Sequence, residues 1–340
     1  MDRFCKLLCI IIVWQLCRQV EAQDIHFSQF YASPQNLNPS LAGNFEGQYR
    51  LVMNNRNQWQ SFTNGYRTFS ASFDSRITNW RISGSTFGAG LLINSDRAGD
   101  GKMGITQVGI SLSMQYDITG SGKYLVAAGI CPSFSQYSID FSKFTFNSQY
   151  NGVQFDAMLP SNENFEADRV SFFDLASGIN FATSVNDNLS FTFGLAASHI
   201  LRPLLSFNND PSVKLKSRYQ YHAIVLYKLR NDFIIYPSLK LSSQGPLKEF
   251  NWGGMAKLGL NNMYFQSFYF GGWNRWRDAV ILKIGTDYQN INIGISYDIN
   301  ISKLTCASNG KGGFEFSLAY IFNLKKELKP VFFRQCPTFI

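Results

Sequence analysis

The sequence predicts an all-β protein, a single transmembrane antiparallel β-barrel of about fourteen strands. Three observations point there. First, the 340 residues contain 31 Phe, 16 Tyr and 6 Trp, while only 16% are charged, against about 25% in an ordinary soluble domain. So many rings exclude disorder, and apolar residues scattered singly do not form the runs of about 20 that membrane helices need. Second, hydrophobicity alternates with period two along most of the chain, placing one apolar and one polar face on each segment. Third, the long connections all fall on one side of the strand count, as in barrels whose short turns face the periplasm and whose longer loops face outward.

The first element is an export signal at 1–22. Arg3 and Lys6 precede the apolar stretch Leu7 to Trp14, and Val20-Glu21-Ala22 ends in a small residue, so cleavage is expected before Gln23. The stretch is too short to cross a bilayer. Cys17 follows Trp14-Gln15-Leu16 rather than small residues, which argues against lipidation. Three cysteines remain beyond the signal, Cys131, Cys306 and Cys336, an odd number without the close spacing of a disulfide framework or a zinc site.

Residues 23–46 contain Pro34 and Asn38-Pro39 and do not alternate. Two placements are open for them: inside the lumen as a plug, or at the periplasmic mouth. The barrel follows over 47–324, with strands near 47–58, 66–77, 84–95, 104–117, 122–135, 170–183, 188–199, 218–229, 233–242, 249–260, 263–272, 277–288, 291–300 and 312–324. Val108, Ile110, Leu112, Met114 and Tyr116 alternate with Gln107, Gly109, Ser111, Ser113 and Gln115, and Ile291 to Asn300 repeats the pattern. Each segment reaches the 9–11 residues a tilted spanning strand requires. Connections after even-numbered strands are short (Arg230-Asn231-Asp232, Asn261-Asn262, Gln289-Asn290), and the two long ones, 136–169 and 200–217, follow odd-numbered strands. With both termini in the periplasm, the long loops are external. A soluble sandwich or propeller also alternates, but the chain shows no blade repeat and its polar face is small, rich in Gly and Ser, as a lumen would be. Trp59, Tyr116, Trp252, Trp273, Trp276 and Tyr320 stand near strand ends and are expected to form interfacial girdles. After the last strand, 325–340 is basic and then apolar, and is expected to be a periplasmic extension that docks a partner.

Three clusters then resemble a known family. Phe27-Ser28-Gln29-Phe30-Tyr31, Asn36-Leu37-Asn38-Pro39-Ser40-Leu41-Ala42-Gly43 and Asn55-Arg56-Asn57-Gln58-Trp59 resemble the start of the PorP/SprF outer-membrane proteins of the Bacteroidetes type IX secretion system. Tyr236-Pro237-Ser238-Leu239-Lys240-Leu241, Gly294-Ile295-Ser296-Tyr297-Asp298-Ile299 and Gly312-Gly313-Phe314-Glu315-Phe316 are similar to its later segments. Ile295 stands where the family pattern has Tyr, and Phe314 where it has His. The family-motif positions singled out are Asn38, Pro39, Gly43, Arg56, Trp59, Pro237, Ser238, Lys240, Tyr297, Asp298 and Glu315. The resemblance implies a secretion accessory that supports export or surface attachment of cargo such as gliding adhesins. It also implies contact with periplasmic components, the PorK/PorN ring and a PorE-like peptidoglycan-binding lipoprotein. A second reading, a transport channel of the fatty-acid-transporter plan, also combines fourteen strands with an amino-terminal plug.

Candidate chemistry is sparse. Lys240, Lys283, Asp287, Asp298 and Glu315 share lumen parity and are expected to form a charge network, since charges inside a narrow barrel must pair. His199 falls on the apolar parity of its strand beside Ser198, and adjacent residues on one strand face opposite ways, so the two do not make a base and nucleophile. His222 shares parity with Gln220, toward the lumen. Asp96-Arg97-Ala98-Gly99-Asp100-Gly101 reads as a turn rather than a calcium loop. No enzyme activity, cofactor, metal or nucleic-acid partner is expected. The formal charge of +8 is as easily explained by anionic lipid headgroups as by a partner.

Overall fold

The computed structural model describes residues 24–323 except 61–62, 79–83, 164–166, 209 and 304; the expected signal at 1–22 and the extension at 325–340 lie outside the described residues. The strands are β1 (Tyr49–Gln58), β2 (Tyr66–Ile77), β3 (Ser85–Ala98), β4 (Met103–Asp117), β5 (Tyr124–Ser138), β6 (Arg169–Asn186), β7 (Leu189–Ser198), β8 (Arg218–Arg230), β9 (Phe233–Gln244), β10 (Leu247–Gly259), β11 (Phe265–Arg275), β12 (Ala279–Tyr288), β13 (Ile291–Asn300) and β14 (Lys311–Phe322). Each pairs antiparallel with its sequence neighbours. The sheet closes where β1 meets β14, from Tyr49 opposite Phe322 to Gln58 opposite Gly313. Closure leaves no strand edge unpaired, the condition a β-structure must meet in lipid.

The alternation faces the way a membrane demands. On β4, Val108, Ile110 and Leu112 are 45%, 51% and 47% exposed, while Ser111 and Ser113 are 0% and 8% exposed. Apolar side chains stand outward and polar ones inward, the reverse of a soluble fold. One end of the barrel, the loop end, carries the connections 139–168 and 199–217; the other, the turn end, carries tight connections such as 187–188 and 231–232.

Two outward prolines interrupt the hydrogen-bonded ladders because they lack an N–H. The β4–β5 register skips from Gly109 opposite Ser133 to Leu112 opposite Ile130 beside Pro132. The β8–β9 register skips from Ile224 opposite Ser238 to Tyr227 opposite Ile235 beside Pro237.

The lumen is filled from within. Residues 24–48 start at the loop end, where the Asp24 backbone N–H donates to Gln244, and descend to the turn end, where β1 begins. Three short helical turns fold this segment, Phe30–Ala32, Pro34–Leu37 and Pro39–Leu41. Their apolar side chains make a small core with the wall: Phe30 and Leu37 pack with Trp273 and Ile281, flanked by Tyr31, Leu41 and Met255. Tyr31 stacks on Trp273 at 5.1 Å between centroids. Trp273 is therefore a lumen residue, 2% exposed, rather than part of an outer girdle. Its indole N–H donates to Ser238 at 2.9 Å, which gives an inward tryptophan the polar partner it needs. Trp252 and Trp276 do face outward.

Small lumen-facing residues let the plug reach the wall. A Cβ on Gly129 would lie 2.6 Å from Ser40 Cα, and one on Gly178 would lie 2.1 Å from Asn38 Oδ1. These glycines are needed for close approach. Over the same stretch the outer face carries an apolar groove of about 910 Å³, bordered by Leu112, Ile130, Ile179 and Tyr221.

Candidate functional site

The plug is held at four levels. At the loop end, Asp24 Oδ2 lies 3.0 Å from Arg218 Nη1 and 3.0 Å from His199 Nε2. His199 Nδ1 lies 2.5 Å from Asp174 Oδ2. Strand β7 ends at Ser198, and His199 takes a left-handed φ of 56°, so its ring turns into the lumen instead of following the outward parity of its strand. It is 3% exposed. Burial lowers the affinity of His199 for its proton, but Asp24 and Asp174 reverse this and push its pKa up to about 9. Burial likewise opposes ionisation of Asp24, yet His199 and Arg218 hold its carboxyl well below the ordinary range. Both ring nitrogens of His199 are thus held by carboxylates, and neither is free to activate a serine.

One level down, the backbone N–H groups of Ser28 and Gln29 donate to the two oxygens of Glu315 at 2.7 and 2.9 Å. The Ser28 hydroxyl donates to Asp298 Oδ2 at 2.8 Å. The same oxygen accepts from Arg56 Nη2 at 3.0 Å and Arg275 Nη2 at 3.1 Å. Arg56 Nη1 donates to the His26 carbonyl at 2.9 Å. Two arginines and two carboxylates, all nearly fully buried, clamp the Phe27-Ser28-Gln29 segment from β1, β11, β13 and β14. A buried set of this kind is stable only when every charge has a partner.

The third level is Asn38. Its Nδ2 donates to the carbonyls of Ile179 and Leu195 at 2.9 and 3.2 Å, residues that face each other across β6 and β7. Its Oδ1 accepts from the N–H and hydroxyl of Ser40 at 3.0 and 2.7 Å, capping the turn that Pro39 opens. At the turn end, Arg50 meets Asp74 through Nη2 at 2.6 Å and Nε at 3.0 Å, a bidentate pair. Asp74 also accepts from the Gly43 N–H at 2.7 Å, and Arg50 donates to the Leu41 carbonyl at 3.0 Å. Gly43 has a φ of 67°, a conformation glycine adopts freely as the chain swings toward β1.

All five lumen charges named from the sequence lie on inward positions, but among the described residues no ion pair joins two of them. Lys240 pairs with Glu249 at 2.8 Å. Asp298 and Glu315 belong to the arginine clamp. Lys283 Nζ sits 4.5 Å over the Tyr31 ring, a cation–π contact with the plug. Asp287 stands apart toward the turn end, accepting from Lys257 at 3.0 Å, Ser267 at 2.5 Å, Asn292 at 2.6 Å and the Tyr269 hydroxyl. Pro237, Tyr297 and Phe314 face outward, as does Ile295. Trp59, with a φ of 62°, stands at the loop-end mouth above His26 and Arg56 in a cavity of about 290 Å³, so it is no girdle residue. The partners that the sequence reading passed over are Arg275, Glu249, Arg50, Asp74, Asp174 and Asp24. Arg275 and Glu249 share lumen parity with their neighbours, a signal sufficient to find them; Asp24 lies outside any alternating segment. His222 is buried in the wall beside Gly194. Among the described residues no group of three or more His, Cys, Asp or Glu is arranged to hold a metal.

The barrel is similar to several solved structures. The Ralstonia pickettii toluene transporter TbuX aligns with 85% of this chain and 93% of its own at a TM-score of 0.51 and 9% identity. The Pseudomonas putida toluene transporter TodX aligns with 89% and 99% at 0.51 and 9% identity, and the CymD monoaromatic hydrocarbon channel with 86% and 93% at 0.50 and 9% identity. At such identities the likeness is one of fold. No curated protein sequence matches. The family model described as type IX secretion system membrane protein PorP/SprF matches residues 19–320.

Proposed function

Because the chain belongs to the PorP/SprF family of type IX secretion system membrane proteins, we propose that it serves as an outer-membrane accessory of that system, supporting export or surface attachment of cargo such as adhesins. The observation that carries this reading is the family match over residues 19–320. The interior is occupied by residues 24–48, fixed through four levels of buried contacts, and the two ends offer surfaces to partners. With both termini in the periplasm, the loops 139–168 and 199–217 face the exterior and meet cargo. The turns, with the basic and apolar segment 325–340, face the periplasm and meet the PorK/PorN ring or a PorE-like lipoprotein.

The test is removal of the gene followed by proteomic comparison of surface proteins. Loss of display of one or a few large surface proteins, restored by the wild-type chain, supports the accessory role. Unchanged display contradicts it. Deletion of 325–340 that leaves association with periplasmic components intact would remove the tail from the account. The transport reading shares the plugged-barrel plan and is separated by conductance: single-channel currents from the intact protein in planar bilayers would favour it.

A further inference from the structure

Arg67 near the start of β2 and Arg97 near the end of β3 are direct cross-strand partners at the loop-end rim. Both point outward, because the positions beside them, Thr68 and Asp96, face the lumen, where the buried Thr68 hydroxyl donates to Asp96. Both are exposed, and among the described residues neither guanidinium has an ion pair or hydrogen bond. Like charges placed directly opposite each other on a sheet destabilise it. Lys102, in the turn between β3 and β4, adds a third cation. The three line a cleft of about 490 Å³ together with Thr63, Asn64 and Asp100. Among the described residues of the cleft Asp100 is the one carboxylate, and it already accepts from the Asn64 amide.

The height of the cleft on the barrel defines its surroundings. The outward residue after Arg67 is Phe69, and those before Arg97 are Ser95, Ile93 and Leu91; Phe69, Ile93 and Leu91 are exposed, lipid-facing side chains. At about 3.3 Å per residue the apolar band begins roughly 7–13 Å below the arginines, which puts them in the headgroup layer. We propose that this cleft binds the phosphate group of an anionic membrane lipid, with Arg67 and Arg97 presenting their forked donors to one phosphate. Guanidinium pairs suit phosphate because their planar donors match its oxygens, and an anion held between them turns the cross-strand repulsion into attraction. This inference depends on the barrel lying in a membrane and is independent of the secretion role.

The probe is a bisphosphorylated diglucosamine lipid, compared with the same lipid after phosphate removal, each added to the detergent-purified protein and quantified by native mass spectrometry. The wild type is expected to retain the phosphorylated lipid roughly tenfold better, and Arg67→Gln/Arg97→Gln to lose that preference. Lys102→Asn, in an exposed turn, should weaken retention several-fold, and heat-modifiable migration on gels checks that each variant is folded. Equal retention of the two lipids, or wild-type retention by both variants, would overturn the proposal. Displacement of the lipid by millimolar inorganic phosphate would assign the cleft to a soluble anion and overturn the lipid assignment.

Discussion

Asp298 illustrates how single residues hold the plug. One of its oxygens accepts from Ser28, Arg56 and Arg275, so Asp298→Asn removes a shared counter-charge and leaves Arg275 with Asp278 and Arg56 with Glu315. Removing one member of a buried pair costs about 3–5 kcal/mol when the other is left alone, which is the upper bound here. The denaturation midpoint of the detergent-solubilised barrel should fall accordingly, and protease sites in residues 24–48 should open. A change within the error of the midpoint would show that the clamp carries little. His199 makes a pH-dependent contribution. Its folded pKa is raised from 6.5 to about 9, so the stability it lends is complete below about pH 6.5 and is lost as pH rises through 9. Asp24 has the opposite sense: its contribution is present above its ordinary value of 3.8 and is lost as pH falls below it. Hydrogen exchange at residues 24–30 should therefore be slowest between about pH 4 and 6.5, after correction for the intrinsic rate. His199→Gln should abolish the loss on the alkaline side. A flat corrected profile in the wild type would contradict the assignment.

Strands were legible from the sequence because alternation is a local property: each of the fourteen expected segments overlaps an observed strand, with ends shifted by a few residues. What alternation did not reveal is which inward positions are apolar. Trp273 and Ile281 face a lumen read as polar because the plug presents Phe30, Tyr31 and Leu37 to them, a pairing between segments some 240 residues apart. The same distance hid the partners of Asp298 and Glu315, whose inward parity was visible but whose contacts depend on the path of 24–48. His199 escapes the parity of its strand because β7 ends at Ser198 and the next residue turns with a left-handed φ. Two substitutions test the element-level account. Ile284 stands outward on β12, 60% exposed, and Ile284→Lys should destabilise the barrel by up to about 2–4 kcal/mol if it lies near the bilayer midplane. Gly178→Leu should push Asn38 off β6 and β7 and raise cleavage within the plug, while leaving the barrel's heat-modifiable migration intact. Protection of the plug as in the wild type would contradict the close approach inferred there.

For the whole molecule, closure of the sheet and filling of the lumen give complementary roles to its two surfaces. The outward apolar face makes the barrel a resident of the membrane, and the plug occupies its interior while leaving both ends exposed. The family assignment supplies the system in which those ends act; the fold likeness to hydrocarbon transporters, at 9% identity, supplies architecture alone. The most direct test of the central claim is affinity isolation of the full-length protein from native outer membranes after mild cross-linking, with the captured chains identified by mass spectrometry. Periplasmic components of the type IX machinery and a surface protein are expected to be recovered with it, the former linked to the turn end and the latter to the loop end. Recovery of the barrel alone, together with ion currents from the intact protein in a planar bilayer, would make it a channel.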